Sequence, residues 1–335
     1  MQTVFFKNNP RILATGTVAG PKECAGVVGK LVDKALLDDT FGESTYEKAE
    51  CKMLSYAISQ AIENAEEREE NVDMLISGDL LNQIISASFA ARDFNFPFLG
   101  VYGACSTMAE SMAVAAALIN AGYYKKIVAA TGSHFSSAER QYRYPLELGN
   151  TRPPQSQWTV TGAGGSFIAD MGVSKEGKNA PAITCATFGK VVDFGITDVN
   201  NMGAAMAPAA MKTILAHLKD TGRNANYYDL IVTGDLGALG SRILKDLTWE
   251  KGVDIQPNHV DCGEIIYNVI EDEFQGGSGA GCSAVVFNSY IYDKLKKGEL
   301  RRVLFAATGA LLSTVSSGQG ESIPCICHAV AVERV

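Results

Sequence analysis

Long apolar runs are missing from this chain of 335 residues. The longest candidate, Met112 to Ile119, stops at Asn120, short of the ~18 residues a membrane-spanning helix needs. Excess positive charge is missing too. Lysine and arginine number 29 against 37 aspartates and glutamates, a formal charge of -8. That balance does not match the electrostatic footprint of a nucleic-acid binder. No CxxC pair occurs among the cysteines (Cys24, Cys51, Cys105, Cys185, Cys262, Cys282, Cys325 and Cys327). A chain of this length builds its core without staples, so the thiols are expected reduced and mostly buried. The lone His259-x-x-Cys262 falls short of the paired ligands of a structural zinc site, and no metal site is expected. The opening Met-Gln-Thr-Val-Phe-Phe-Lys lacks the basic start and apolar run of a signal peptide. The expected compartment is the cytoplasm.

Cofactor signatures are equally scarce. No phosphate loop of the form GxxxxGK[ST] occurs, and no calcium loop of spaced acids ending in Glu. The stretch from Gly279 to Ala284 spells GxGxxA, but no strand leads into it and no acid waits at the right distance. It reads as helix-packing glycine. The stretch from Gly276 fails the nucleophile-elbow pattern because Ala280 stands where the last Gly belongs.

What is present is core material. Apolar residues make up 47% and charged residues 20%, with mean hydropathy at +0.04. Such a composition excludes wholesale disorder, and the length suggests about two domains. The chain also repeats itself. Val-Asp-Met-Leu-Ile-Ser-Gly-Asp-Leu at 72–80 returns as Tyr-Asp-Leu-Ile-Val-Thr-Gly-Asp-Leu at 228–236, an offset of 156. Ala-Ala-Thr-Gly at 129–132 returns at 306–309, and Cys105-Ser106 falls opposite Cys282-Ser283, both at an offset of 177. A duplicated unit is implied, with halves expected at 1–175 and 176–335 and a link over Lys175 to Pro181.

Each unit alternates strand and helix. Short apolar runs bounded by Gly, Asp or Pro predict strands at Met74–Ser77, Phe98–Tyr102, Ile127–Thr131 and Ser166–Met171. In the second unit they fall at Ile231–Thr233, Val303–Thr308 and Pro324–Glu333. Helices are predicted at Tyr46–Asn64, Ser106–Tyr123, Ala204–Leu218 and Ser283–Leu295. The pattern implies an α/β sheet with helices packed on it, repeated once. Two connections are long, His134 to Thr161 and Gly309 to Ile323. Loops of that length inside compact domains are usually binding walls or lids. The first carries Arg140, Arg143 and Arg152; the bland alternative pairs these arginines with Glu139 and Glu147 at the surface.

Cys105 leads the candidates for chemistry. It sits between a strand and a helix, where free N–H groups and the helix dipole favour the thiolate. A small buried hydrophobe at a tight junction is an equal alternative. His217 falls mid-helix and reads as a surface or boundary histidine.

A duplicated α/β unit with Cys105 opening the central helix of the first half resembles the thiolase and ketoacyl-synthase superfamily. Within it the chain resembles the stage V sporulation AD family of endospore-forming bacteria. The resemblance rests on Ala19-Gly-Pro-Lys-Glu23, Gly78-Asp-Leu-Leu-Asn-Gln83, Gly103-Ala-Cys-Ser-Thr107, Ser133-His134, Ala138-Glu-Arg-Gln141 and Arg143-Tyr-Pro145. It continues through Gly195-Ile-Thr-Asp198, Met206-Ala-Pro-Ala-Ala210, Gly276-Gly-Ser-Gly279, the run from Ala306 to Ser313, and Cys327-His328. The resemblance implies an α/β thiolase-like fold of two halves layered α-β-α-β-α. It also implies binding of dipicolinic acid (pyridine-2,6-dicarboxylate), carried with Ca2+, and a part in moving it into the developing spore. Further implications are a homodimer, partners among the other proteins of the spore dipicolinate-transport system, and peripheral association with the spore inner membrane through them. One departure stands out: Gly234 and Gly279 fall where condensing enzymes of the superfamily keep an assisting His and Asn.

Three functions follow from this reading. In the first, the old acyl pocket binds dipicolinate through Cys105, Ser106, Ser133, His134, Arg140, Arg143, Thr161 and His328, with Tyr142 or Tyr144 as a flat wall and Cys105 a vestigial nucleophile. In the second, the chain is an active Cys-dependent acyltransferase or condensing enzyme using coenzyme A or carrier thioesters. In the third, it is a structural partner of a membrane channel. The missing His/Asn pair favours the first over the second, since loss of such donors removes oxyanion stabilisation.

Overall fold

The computed structural model describes residues 1–142, 152–170, 172, 179–267 and 275–335. The chain begins with β1 (Thr3–Phe5), β2 (Arg11–Ala19), α1 (Pro21–Cys24), β3 (Lys34–Ala35), α2 (Tyr46–Asn64), β4 (Met74–Gly78) and α3 (Ile85–Ala91). It continues through β5 (Phe98–Gly100), α4 (Thr107–Asn120), β6 (Lys126–Ser133), α5 (Phe135–Tyr142), β7 (Trp158–Thr159), β8 (Gly162–Ala169) and β9 (Ala182–Thr187). The remainder comprises α6 (Met202–Thr221), β10 (Leu230–Thr233), α7 (Gly237–Glu250), β11 (His259–Asp261), α8 (Cys262–Ile266) and β12 (Gly277–Ser278). Last come α9 (Ala280–Val286), a π-helical turn over Phe287–Ile291, α10 (Tyr292–Lys297), β13 (Arg302–Ala310), α11 (Thr314–Gly318) and β14 (Cys325–Glu333).

The strand order is β11-β10-β13-β14-β9-β2-β8-β6-β4-β5. Its two arms repeat each other. In one, β4 runs parallel to β5 and β6, and β8 lies antiparallel to β6 and β2. In the other, β10 runs parallel to β11 and β13, and β14 lies antiparallel to β13 and β9. The arms meet along β2 and β9, where Arg11 stands opposite Ala182.

Helix burial explains the layering. Thr45 caps α2 by accepting from the Lys48 amide at 3.3 Å, and the helix buries one stripe of Met53, Leu54, Ala57, Ile58 and Ala61. That stripe packs on Leu75, Val128, Ala130 and Phe167 of the first arm. On the second arm, Met206, Ala210 and Ile214 of α6 cover Ile231, Leu304, Ala306 and Ala331. Between the arms lie α4 and α9, buried almost all round, with Met108, Met112, Ile119 and Val285 touching a core that draws on Ile76, Ile127, Val232, Phe305 and Val330. The stack is helix, sheet, helix, sheet, helix: a thiolase-like fold. Large side chains anchor the middle layer, such as Phe287 stacked on Phe305 at 4.6 Å, and each contributes ~1.5–3 kcal/mol by burial.

The predicted α2 begins and ends where the sequence places it. Elsewhere the structure corrects the reading. Strand β8 starts at Gly162, before the expected Ser166, and the π-helical turn interrupts the helix expected over Ser283–Leu295. The connection after His134 is not a loop at first: residues 135–142 form α5, with Ser136, Ser137, Ala138 and Glu139 buried. Residues 143–151, and with them Arg143, Tyr144 and Glu147, lie outside the described residues, as do positions 173–178 at the expected link and the boundary between halves. No helix among the described residues is long and apolar enough to cross a membrane.

Candidate functional site around Cys105

Chain geometry concentrates at one junction. Between β5 and α4 the backbone turns through Ala104, whose φ of +50° is rare for a residue with a side chain. The turn is held by Ser106 Oγ donating to the Gly103 carbonyl at 2.7 Å and Thr107 Oγ1 donating to the Ala104 carbonyl at 2.7 Å. These bonds place Cys105 at the floor of a cavity of about 60 Å3. Its walls come from five places: Leu80 after β4, Ala138, Glu139 and Tyr142 of α5, Thr159 and Ser278 of the β7/β12 ribbon, Met202 and Met206 of α6, and Ala310 and Leu312 at and just past the end of β13. The lining is apolar apart from a few polar groups, the ordinary composition of a small-molecule pocket.

Beneath the thiol lies Asp235, two residues past the end of β10 and fully buried. Its carboxylate accepts from Thr308 Oγ1 at 2.9 Å, the Gly279 amide at 3.0 Å and Ser278 Oγ at 3.3 Å, and it lies beside the Cys105 thiol. Burial raises its pKa to about 6 in spite of those donors. The same burial, with the Asp235 charge next to it, pushes the Cys105 thiol well above its ordinary range. The sequence reading expected the opposite, a thiol acidified by the helix terminus. Desolvation and a neighbouring carboxylate outweigh the dipole of a helix end. Close by, Asp261 accepts from the amides of Leu236 and Gly237, both at 2.9 Å, and so closes the start of α7.

Comparison with known proteins shows where this arrangement belongs. A family model described as Stage V sporulation protein AD (SpoVAD) matches residues 1–333. The chain belongs to the SpoVAD family. Stage V sporulation protein AD of Bacillus subtilis (strain 168) is 45% identical over 333 residues, spanning 99% of this chain and 97% of that protein. Among solved structures, cerulenin-bound OleA from Xanthomonas campestris superposes with a TM-score of 0.62 at 15% identity, covering 98% of this chain and 100% of that one. Acetamide-bound OleA from the same organism gives a TM-score of 0.61 at 14% identity, again over 98% of this chain and 100% of that one. At such identity the OleA likeness establishes the fold alone. This member of the SpoVAD family is therefore a stage V sporulation protein on a thiolase-like scaffold.

The cavity gathers fewer of the expected residues than the sequence suggested. Cys105 lines it; Ser106 lies buried behind it, its hydroxyl occupied by Gly103. Ser133 Oγ accepts from the Gly281 amide at 3.0 Å and donates to the Val160 carbonyl at 2.7 Å, behind the wall. Thr161 Oγ1 accepts from the Phe135 amide at 3.1 Å and serves the start of α5. The His134 ring is turned elsewhere: Nδ1 accepts from the Ser136 amide at 3.0 Å, Nε2 donates to the Asp39 carbonyl at 2.8 Å, and the face rests on Tyr46. His328 is buried on β14, where Nδ1 accepts from the Gly189 amide at 3.3 Å, and burial lowers its pKa to about 4. Arg140 sits on the outer side of α5, ion-paired with Glu47, a partner the sequence reading did not name. Arg152 reaches Glu139 at 3.4 Å and lies over Trp158, which stacks on Phe135 at 3.9 Å.

Of the two glycines expected at the assisting positions, Gly279 lines the cavity and Gly234 packs against Ala307 of β13. Gly279 has φ +96°, and a Cβ there would lie 2.9 Å from Ser133 Oγ and 3.0 Å from Thr159, so the position excludes side chains. Sequence reasoning passed over Asp235 although it saw the residue inside the repeated Thr-Gly-Asp-Leu. The signal was its place at a buried strand end, where an unpaired acid has no structural reason to stand.

Proposed function

We propose that this chain binds dipicolinic acid in the Cys105 cavity and supports its uptake into the developing spore, on a thiolase-like scaffold without condensing activity. The observation that carries the reading is the pairing of Cys105 with Asp235. A condensing enzyme needs a thiolate and donors for the thioester oxyanion. Here burial and the neighbouring Asp235 charge both favour the protonated thiol. Among the described residues no histidine or asparagine lines the cavity. What remains suits binding: an apolar wall of Met202, Met206 and Leu312, with the Tyr142 ring for a flat aromatic ligand. Membership in a sporulation family supports dipicolinate as that ligand, carried with Ca2+.

The same reading places the protein beside the forespore membrane through partners of the dipicolinate-transport system. A homodimer would join along β5, the last strand of its arm, where Leu99, Tyr102 and Phe89 are exposed. Calorimetric titration of the purified chain with dipicolinate, with and without calcium, tests the ligand. Saturable heat that Met206→Trp abolishes is expected. Absence of binding in both titrations, or an acyl group from acetyl- or malonyl-CoA found on Cys105 by intact-mass spectrometry and passed into a condensed product, would overturn the reading in favour of an acyltransferase.

A further inference from the structure

Helix α5 walls the Cys105 cavity with Ala138, Glu139 and Tyr142, yet little apolar burial holds it down. Its buried residues are Ser136, Ser137, Ala138 and Glu139, and Ala138 alone is apolar. An element held this way opens at low free-energy cost unless polar bonds secure it. The deepest of those bonds joins α5 to α2. Ser137 Oγ sits 2.5 Å from Glu50 Oε2 and 3.1 Å from the His134 carbonyl. Other ties lie at the surface or at the helix ends: Arg140 on Glu47, Gln141 on the Leu80 carbonyl at 3.3 Å, and Thr161 on the Phe135 amide.

Glu50 is 1% exposed, and its Oε1 has no hydrogen-bond partner. Beside it stands Asp79, whose two oxygens accept the amides of Leu81 and Ala87. Asp79 is supplied as an anion and Glu50 is not. Counting hydrogens shows what completes the site. The Ser137 hydroxyl has one to give, and an ionised Glu50 would draw it away from the His134 carbonyl. With a proton on Glu50, Oε2 donates to Ser137, Ser137 donates to His134, and no second buried charge faces Asp79. Burial and the Asp79 charge both favour that proton, holding the Glu50 carboxyl well above the usual range.

We propose that Glu50 is a protonation latch for the cavity wall: the protonated carboxyl ties α5 to α2 through Ser137, and its ionisation as pH rises releases the helix. Once α5 lifts, water reaches the carboxyl and it ionises as an ordinary glutamate does, so closure takes up one proton. The closed state is complete below pH ~4.5 and loses ~10-fold per pH unit above it, up to the raised folded value. The charges around Glu50 do not act this way. Glu47, on the same helix, stays below the ordinary range because Arg140 bonds to it against partial burial. Burial places Asp79 at about 6 and Cys51, flanked by Arg92 and Asp93 beyond α3, at about 11. On α5 itself, Glu139 faces Arg152. His134 accepts the Ser136 amide on Nδ1, and burial lowers its pKa. Its protonation would loosen α5 as pH falls, which is the opposite direction.

Hydrogen exchange of the full chain, read by peptide mass spectrometry between about pH 6.5 and 9 and corrected for intrinsic rates, tests the latch. Protection of residues 135–142 should fall ~10-fold per pH unit in the wild type, while that of Tyr46–Asn64 stays level. Glu50→Gln keeps an N–H for Ser137 at every pH and should abolish the slope. Trp158, stacked on Phe135 at 3.9 Å, gives a second reading. With the exposed second tryptophan removed as Trp249→Phe, its emission should move with pH, and should not when Glu50→Gln is added. Level protection of 135–142 in the wild type overturns the proposal, as does a slope that survives in Glu50→Gln. Should Glu50→Gln lose its cooperative melt, Ser137→Ala decides: protection of 135–142 at pH 6.5 should drop ~10-fold, and unchanged protection overturns the latch. No ligand enters the test, so the latch and the dipicolinate reading fail separately.

Discussion

Alkylation of Cys105 offers the sharpest measure of the electrostatics at the cavity floor. The perturbation is Asp235→Asn, which keeps the shape, removes the charge and replaces one of the two accepting oxygens by an amide nitrogen. A thiolate and a carboxylate side by side repel by up to ~4 kcal/mol at an effective dielectric constant of ~20. Local relaxation absorbs part of the repulsion. A retained effect of ~1.4 kcal/mol multiplies the thiolate population by ten. Iodoacetamide reacts with the thiolate, so the alkylation rate of Cys105 should rise ~10-fold at fixed pH in the variant. The assay is peptide-mapped mass spectrometry over time. Cys24 and Cys51, the half-buried thiols far from Asp235 in sequence, serve as internal standards that should not change between the two chains. In the wild type, Cys105 should react more slowly than either standard across pH 7 to 9, because burial and Asp235 both raise its pKa. A wild-type Cys105 that reacts faster than both, or a rate unchanged by Asp235→Asn, would refute the claim that Asp235 keeps the thiol protonated.

Three further outcomes are expected. Glu23 is buried on α1, accepting from Tyr267 Oη at 2.5 Å and the Thr161 amide at 3.0 Å, and burial raises its pKa from 4.5 to about 7. A raised folded pKa means stability that is full below pH ~4.5 and declines as pH climbs through 7; Glu23→Gln removes that decline, so variant minus wild type should grow by up to ~3 kcal/mol between pH 4.5 and 8 in urea melts. Gly309→Ala puts a Cβ 2.1 Å from the Gly103 carbonyl and 3.0 Å from the Ser106 amide, so β13 and the Cys105 turn have to separate; a loss of ~1–3 kcal/mol together with weaker dipicolinate binding is expected, and a wild-type melting temperature would contradict it. Arg140→Ala breaks an exposed ion pair with Glu47, so stability should move by at most ~1 kcal/mol in denaturant titration and dipicolinate affinity should stay as it is.

Legibility from sequence followed the range of the interactions. Helix α2 was readable because its cap Thr45 and its buried stripe lie within one stretch of chain. Strands β2 and β9 were not, since both faces are buried and no alternation of polar and apolar residues marks them. The duplication was readable because β4 and β10, and β6 and β13, kept their strand endings. At the site, Cys105 stood out by its position before a helix. The direction of its pKa shift did not, because Asp235 comes from 130 positions away in the chain and burial is a property of the whole fold. His134 is a similar case: nothing local says that its ring meets the carbonyl of Asp39. The arginines were read as one cluster from a shared loop, yet α5 carries Arg140 outward while Arg152 returns to Glu139.

The duplication left an aspartate at the same strand end in both arms, and the two now have different employment. In the first, Asp79 accepts from the amides of Leu81 and Ala87, each at 2.7 Å, and closes the entry to α3. In the second, that duty has passed to Asp261, which takes the amides of Leu236 and Gly237 at the entry to α7. Asp235 instead takes the Gly279 amide at the entry to α9 and the Thr308 hydroxyl of β13, behind the Cys105 cavity. Ancestral redundancy of this kind lets one copy change partners while a third carboxylate, recruited from the neighbouring strand, keeps the helix in place. Asp261 consequently belongs to the history of the site without touching it, and relatives that lack an acid at that position should be found to have drawn their counterpart of Asp235 back into the backbone.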